Sequence, residues 1–255
     1  MVSQVRQKMP RIGTRKLHYL LNEQLKELKV GRDKLFSILK ANQMIIYPKR
    51  SYHVTTNSHH RFYKHKNLIS EMLPTRPEQI WVSDITYIGG RNNHTYLALV
   101  TDAYSKKIMG YNISDSLSAQ GSIKALQMAI KQRVYKDEPL IHHSDRGIQY
   151  CCNQYQGVLD KNNLKCSMTE TYDPYANAVA ERINGILKDE FGLEKYSLSI
   201  ENMDLLIKES VDIYNNLRPH YSCHMNTPDE MHKQRRIKIR TYKTKKSFQA
   251  SLEAL

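Results

Sequence analysis

The apolar positions of this chain change period several times, and each change marks an element. Leu17, Leu20, Leu21, Leu25 and Leu28 recur at helical spacing behind Pro10 and Gly13, with Thr14 as the N-cap candidate. Lys29-Val30-Gly31 then supplies a turn, and Leu35, Phe36 and Leu39 repeat the stripe from about Arg32 to Ala41. Two short helices around a glycine-bearing turn predict a helix-turn-helix over residues 1–45, with Arg32, Lys34, Ser37 and Lys40 on or near the exposed side of its second helix. Residues 46–77 show no period and read as a linker closed by Leu73-Pro74-Thr75-Arg76-Pro77.

Period two takes over at Ile80. The run I-W-V-S-D-I-T-Y-I (80–88) is aromatic and β-branched and stops at Gly89-Gly90, so it predicts a strand with Asp84 inside it. His94–Asp102 and Lys107–Ser114 follow at hairpin distances as two more strands. Helical spacing returns at 123, 126, 129 and 130. A strand at Leu140–His143, a helix across Tyr150–Asn163, a short strand at Cys166–Met168 and a helix across 175–191 complete the middle of the chain. The order β-β-β-α-β-α-β-α over residues 78–193 matches an α/β, ribonuclease H-like mixed sheet with helices on both sides. Beyond it, residues 194–255 predict an amphipathic helix over Met203–Tyr214, a polar, basic loop at Asn215–His224, a capping box at Thr227-Pro228-Asp229-Glu230, and a basic tail.

Charge narrows what such a core acts on. The chain of 255 residues carries a net charge of +14, distributed unevenly. Residues 1–79 hold 16 Lys and Arg against 5 Asp and Glu, residues 80–192 hold 12 against 12, and residues 232–255 hold eight against one. Basic arms around a neutral, acid-bearing core point to a polyanion, and nucleic acid is the natural one. In the linker, Lys49, Arg50, Arg61 and Lys64 are interleaved with tyrosine, phenylalanine and histidine, a composition suited to phosphates and bases together. Arg235 and Arg236 open the basic tail. The four cysteines, 151, 152, 166 and 223, have no C-x-x-C spacing and read as core filler. No window approaches a membrane span and no signal-peptide pattern opens the chain, so a cytoplasmic protein is expected.

The acids supply the chemistry. Asp84 lies in a strand, Asp145 at the turn after the strand ending His142-His143-Ser144, and Glu181 in the helix of 175–191, with 35 residues between the last two. Three such acids could meet on one sheet edge. At 100° per residue, Val179, Ile183, Ile186, Leu187 and Phe191 share one face of that helix, and Asn177, Glu181, Asn184 and Lys188 form a polar stripe beside it. Glu181 would bind metal while Lys188, two turns on, reaches a phosphate; Asn177, Asn184 and Arg146 are further candidate DNA contacts. Clustered carboxylates call for divalent cations, and Mg2+ suits oxygen-only ligands. Two such ions serve in-line phosphodiester displacement, and Mn2+ is expected to substitute.

Taken together, R-I-G-T-R-K-L, W-V-S-D-I-T-Y, H-H-S-D-R-G-I-Q-Y, N-A-V-A-E-R-I-N-G-I-L-K-D-E-F, Y-N-N-L-R-P-H and T-P-D-E-M resemble a bacterial insertion-sequence transposase of the DDE type, the second-reading-frame proteins with a core similar to retroviral integrase. The resemblance covers almost the whole chain. It implies that Asp84, Asp145 and Glu181 form the catalytic, metal-binding triad, that Asp102 is a structural or hydrogen-bonding acid, and that His143 orients a ligand or phosphate. Ala176 stands where the family often has an acid. The implied activity is binding of the element's terminal repeats, strand cleavage to a free 3′-hydroxyl, and attack of that hydroxyl on another phosphodiester. Copy-out-paste-in movement through branched or circular DNA, target DNA, a homo-multimeric synapse and a first-frame partner or fusion come with it. A DNA-binding regulator built on the same scaffold and a hydrolase of RNA–DNA hybrids are the alternatives.

Overall fold

A computed structural model describes residues 1–47, 62–70, 72–90, 93–169 and 178–240. Its centre is a five-stranded sheet in the order β3-β2-β1-β4-β5, with β1 Ile80–Gly90, β2 Asn93–Asp102, β3 Ile108–Ser114, β4 Leu140–Ser144 and β5 Leu164–Met168. The first three strands form the expected antiparallel meander, whereas β4 pairs parallel with β1 and β5 parallel with β4. Each inner strand alternates between two cores. In β2, Ala98 and Val100 face Trp81, Leu126 of helix α5 (Ala119–Lys131), and Tyr155 and Leu159 of the helix Asn153–Lys161. Leu97 and Leu99 face the opposite way, toward Ile183, Ile186 and Leu187. Two apolar faces on one sheet require helices on both sides. The expected mixed α/β architecture is therefore the observed one.

The contact of α5 with β3 is close enough to need a glycine. A Cβ on Gly110 would run into the carbonyl oxygen of Ala125 and stand 2.7 Å from the backbone nitrogen of Ala129. Gly110→Ala is expected to lower the unfolding free energy by roughly 3 kcal/mol, because backbone on both sides leaves little to yield. A urea titration of the purified variant measures it.

Several elements differ from the sequence pattern. The N-terminal region has a helix α1, Val2–Lys8, that the pattern did not indicate. The first helix of the expected pair is broken at Leu21 into α2 (Thr14–Leu20) and α3 (Asn22–Glu27) before α4 (Arg32–Ala41). The expected helix at Tyr150–Asn163 is two, α6 (Ile148–Cys151) and α7 (Asn153–Lys161), because Cys152 is extended between them. The helix carrying Glu181, α8, is described from Ala178 to Asp189, and α9 spans Ile200–Asn216. The capping box is present: Thr227 accepts from the Glu230 amide, and Glu230 accepts from the Thr227 amide, at the start of α10 (Pro228–His232).

The stretch read as a polar, basic loop, Asn215–His224, begins inside α9 and is partly buried, with Leu217, Tyr221 and His224 outside. Arg218 is 1% exposed, and His220 and Cys223 are also inside. Arg218 donates two hydrogen bonds to Glu190, at 2.8 and 2.9 Å, and Lys16 of α2 adds a third at 2.7 Å. The Arg11 amide donates to the Glu190 carbonyl. One carboxylate at the end of α8 thus joins the N-terminal arm to the segment after α9. Burial alone would raise the Glu190 carboxyl, but Arg218 and Lys16 hold it down to about 2. The same apolar cluster runs through Ile12, Leu17, Leu35 and Leu39 of the arm into Ile183, Leu187 and Tyr214.

Candidate active site

The pairing of β1 with β4 sets the site. Val82 is opposite His143 in a parallel register. Two residues further along come Asp84, inside β1, and Asp145, in the turn directly after β4 ends at Ser144. The parallel pairing of β1 with β4 thus brings the two acids together toward the carboxyl end of these neighbouring strands.

Helix α8 lies over this face and runs with β1. Ala180 shares a cluster with Val82, Asn184 donates to Asp84 Oδ2 at 2.7 Å, and Lys188 donates to Thr86 Oγ1 at 3.3 Å. Four helical residues advance about 6 Å and two strand residues about 6.6 Å, so each helical step meets the next inward strand position. Asn184 is only 4% exposed. It belongs to the buried side of the helix, which corrects the stripe that placed it toward substrate: at 100° from Ile183 it is a flank residue, and the Asp84 carboxylate draws it inward. Lys188 is half-buried, while Glu181, in the first turn of α8, is exposed.

Asp84 is the electrostatic centre. Burial first, then the charges of Asp145 and, more weakly, Glu181, push its carboxyl up to about 7, against the opposing Asn184 bond. Asp145 accepts from the Gly147 amide at 2.9 Å, and a Cβ at Gly147 would come within 3.0 Å of that same oxygen. The cleft over the two aspartates is lined by Ile85, Tyr87, Leu117, Gly147, Gln149 and Tyr150. Among the described residues, no group of three or more His, Cys, Asp or Glu side chains is gathered tightly enough to hold a metal ion.

His143 is fully buried, with its Nδ1 2.8 Å from Ser167 Oγ of β5. Asp102 is the structural acid expected: it is buried and accepts from the Glu78 amide and from the amide and hydroxyl of Ser105, each at 2.7 Å.

The remaining candidate contacts are spread over the surface. Arg32, Lys34, Ser37 and Lys40 are exposed on α4, with Arg32 paired to Asp33 at 2.8 Å. Arg146 is half-buried beside Asp145, and Lys64 and Arg236 are exposed. Arg235 is paired with Glu138 and lies over the Tyr135 ring at 4.3 Å. Lys49, Arg50, Arg61, Asn177 and the tail beyond 240 lie outside the described residues. Helical angle singled out Asn184 but not its partner Asp84, and the positions of Thr86, Tyr150 and Gly147 around the cleft have no signal in periodicity, because each depends on which strand lies beside which. The glycine directly after Asp145-Arg146 is the one local cue.

Residues 74–174 match a family described as an integrase core domain, and residues 162–228 match a second family of the same description. The chain is 36% identical over 211 residues to an uncharacterized 31 kDa protein of insertion element IS600 from Shigella sonnei, covering 82% of this chain and 76% of that one. It is 35% identical over 155 residues to transposase InsF of insertion sequence IS3A from Escherichia coli (strain K12), covering 60% of this chain and 54% of that one. The chain thus spans about half the length of InsF. In fold it is similar to a chain of the simian T-cell lymphotropic virus intasome, with a TM-score of 0.54, 20% identity, and coverage of 91% of this chain and 78% of that one.

Proposed function

Given that the chain belongs to the DDE transposases of bacterial insertion sequences, and so serves DNA transposition and recombination, we propose that Asp84, Asp145 and Glu181 are its catalytic triad and that it cleaves and joins DNA strands by in-line phosphodiester displacement. The observation that carries this reading is the juxtaposition of Asp84, inside β1, with Asp145, directly after the end of the parallel neighbour β4, beneath the helix that bears Glu181. The donor set is all carboxylate oxygen, and the proton affinity of Asp84 is raised first by burial and then by the charges of Asp145 and Glu181, both of which a divalent cation would offset. Magnesium held by these oxygens would neutralise phosphate charge and favour ionisation of the attacking water or hydroxyl.

The chain's own side chains have separable tasks. Asn184 fixes one oxygen of Asp84, the Gly147 amide fixes one of Asp145, and Lys188, steadied by Thr86, contacts a phosphate of the bound strand. In the first step a water oxygen bonds to phosphorus as the bond to the 3′-oxygen breaks, leaving a free 3′-hydroxyl. In the second that hydroxyl oxygen bonds to a phosphorus of target DNA as the bond from that phosphorus to the target 3′-oxygen breaks. The element strand is thereby joined to a target 5′-phosphate, the proton passes to the released oxygen or to solvent, and a target 3′-hydroxyl is left. The exposed cations of α4, with Lys64, Arg146 and Arg236, bind the terminal repeats and target, and synapsis of two ends calls for more than one copy of the chain. A first-frame protein or fusion supplies additional DNA binding.

Incubation with element-end DNA and Mg2+, alone and with the first-frame protein, tests the proposal. Nicked end DNA is expected with wild type, none in EDTA, and none with Asp145→Asn. Equal nicking by the variant, or none by wild type under any of these conditions, would refute it.

A further inference from the structure

The segment Phe62–Ile69 lies against the free edge of the catalytic sheet. The Met168 amide at the end of β5 donates to the Lys66 carbonyl, and the Leu68 amide donates to Ser167 Oγ at 2.9 Å, the same hydroxyl that meets His143. Ile69 packs against the cluster of Val82 and Ala180. This segment is therefore a strap fixed to the core at a known level. Met168 is in register with Ser144, the residue before Asp145. With strands about 4.8 Å apart, the backbone of Lys66 stands roughly 10 Å from that of Ser144. Lys64 is near enough to Cys151, in the helix after the Asp145 turn, for its charge to be felt there.

The strap's surface has two chemistries. Tyr63 is 74% exposed, and its ring meets that of His65 edge-on, with centroids 4.9 Å apart. The two aromatic residues are two apart and stand together. Lys64 and Lys66 alternate with them and are exposed. The face of an exposed phenol ring finds no free base to stack on in an intact duplex, whose bases are stacked on one another; there its hydroxyl can reach only the backbone. It does have a partner in an unpaired base, and lysines between the rings match the phosphates of the same strand.

We propose that the strap Tyr63–Lys66 binds unpaired nucleotides of the DNA strand next to the scissile phosphate, with Tyr63 and His65 stacking on bases and Lys64 and Lys66 holding phosphates. The chain thereby acts on an end whose last base pairs are opened. This rests on the reading of the chain as a DNA strand-transfer enzyme acting through Asp84 and Asp145, and it adds the state of the DNA that the site accepts.

The test is a set of fluorescence anisotropy titrations of the full chain in EDTA. The probes are a single-stranded oligonucleotide of the element end, the blunt duplex, and the same duplex with its terminal pairs mismatched. Wild type should bind the mismatched end more tightly than the blunt one. Tyr63→Ala should weaken binding to the single strand and the mismatched end by about five- to a hundredfold, the worth of one base–aromatic stack, and change the blunt duplex by less than about twofold. Tyr63→Trp should restore binding. Lys64→Ala and Lys66→Ala should each flatten the salt dependence on the single strand by about 0.7 in slope. Equal binding of mismatched and blunt ends by wild type, an equal loss on all three probes in Tyr63→Ala, or no loss on the single strand would overturn the proposal. Because binding is read without metal, a chain that fails to cleave leaves this comparison intact, and one that cleaves without preferring opened ends overturns the strap alone.

Discussion

Asp84→Asn is expected to make the metal-free protein more stable while removing strand cleavage. In the folded chain burial and the neighbouring acids hold the Asp84 carboxyl near 7, whereas an unfolded chain holds it near 3.8. The folded state therefore binds a proton that the unfolded state has already released. Stability falls as pH rises from about 4 to 7, and the loss is complete above 7. Asparagine carries no charge to repel, and its carbonyl can still accept from Asn184. The scale is roughly 1 to 3 kcal/mol at pH 8, after allowing for the water that the open cleft admits. Urea unfolding in EDTA at pH 5 and pH 8 should show the variant's advantage growing from the lower pH, where only about a third of it is present, to the higher. Adding Mg2+ at pH 8 should then stabilise wild type and leave the variant unchanged. Cleavage should fall by more than about a hundredfold, since even residues that merely support a metal ligand account for ten- to a hundredfold. A variant less stable than wild type at pH 8 would show that Asp84 is not the strained acid described above.

Arg218→Ala is expected to cost about 3 to 5 kcal/mol, enough to leave much of the protein unfolded at ambient temperature. The guanidinium is buried, makes both of its strong bonds to Glu190, and covers the Tyr214 ring at 5.6 Å. Its removal leaves the half-buried carboxylate with Lys16 alone. Lys16 is a weak substitute, because burial, the largest influence on its ammonium, still opposes the charge after the Arg218 guanidinium is gone. The pH dependence has the opposite sign to that of Asp84. Glu190 is held near 2, below its ordinary 4.5, so its contribution is present above about 4.5 and disappears as pH falls toward 2. Replacing the whole node with apolar residues, Lys16→Met with Glu190→Leu and Arg218→Met, should cost less than Arg218→Ala alone, because no charge is then left buried. Chemical denaturation of the two proteins decides between them.

The parts of the molecule that local pattern controls were legible in the sequence. Strand β1 announces itself through β-branched and aromatic residues ending in two glycines, and α8 through an apolar face that includes Ile183 and Leu187. The turn after β4 is visible in Ser144-Asp145-Arg146-Gly147. Pairing was not legible. Nothing in Asp84 or Asp145 says that β4 pairs with β1, and it is that pairing which brings the two acids together. The inward turn of Asn184 has the same cause, since a flank position on a helix goes toward whatever the sheet presents to it. Arg218 was misread for a different reason: a short run with arginine, proline and histidines resembles a solvated loop unless the buried acid that it serves, 28 residues earlier, is known.

The apolar seam between the N-terminal arm and the core bears on how this chain could be re-engineered. Ile12, Leu17 and Leu35 share one cluster with Ile183 and Leu187, and the polar joint at Glu190 closes it. Such an arm is not an interchangeable cartridge. A recognition helix grafted from a relative to redirect the chain to other end sequences would bring its own half of the seam. On the proposed reading of α4 as a DNA-contacting helix, single substitutions on its outward face, at Lys34, Ser37 or Lys40, leave that seam untouched and are the safer route to a changed address.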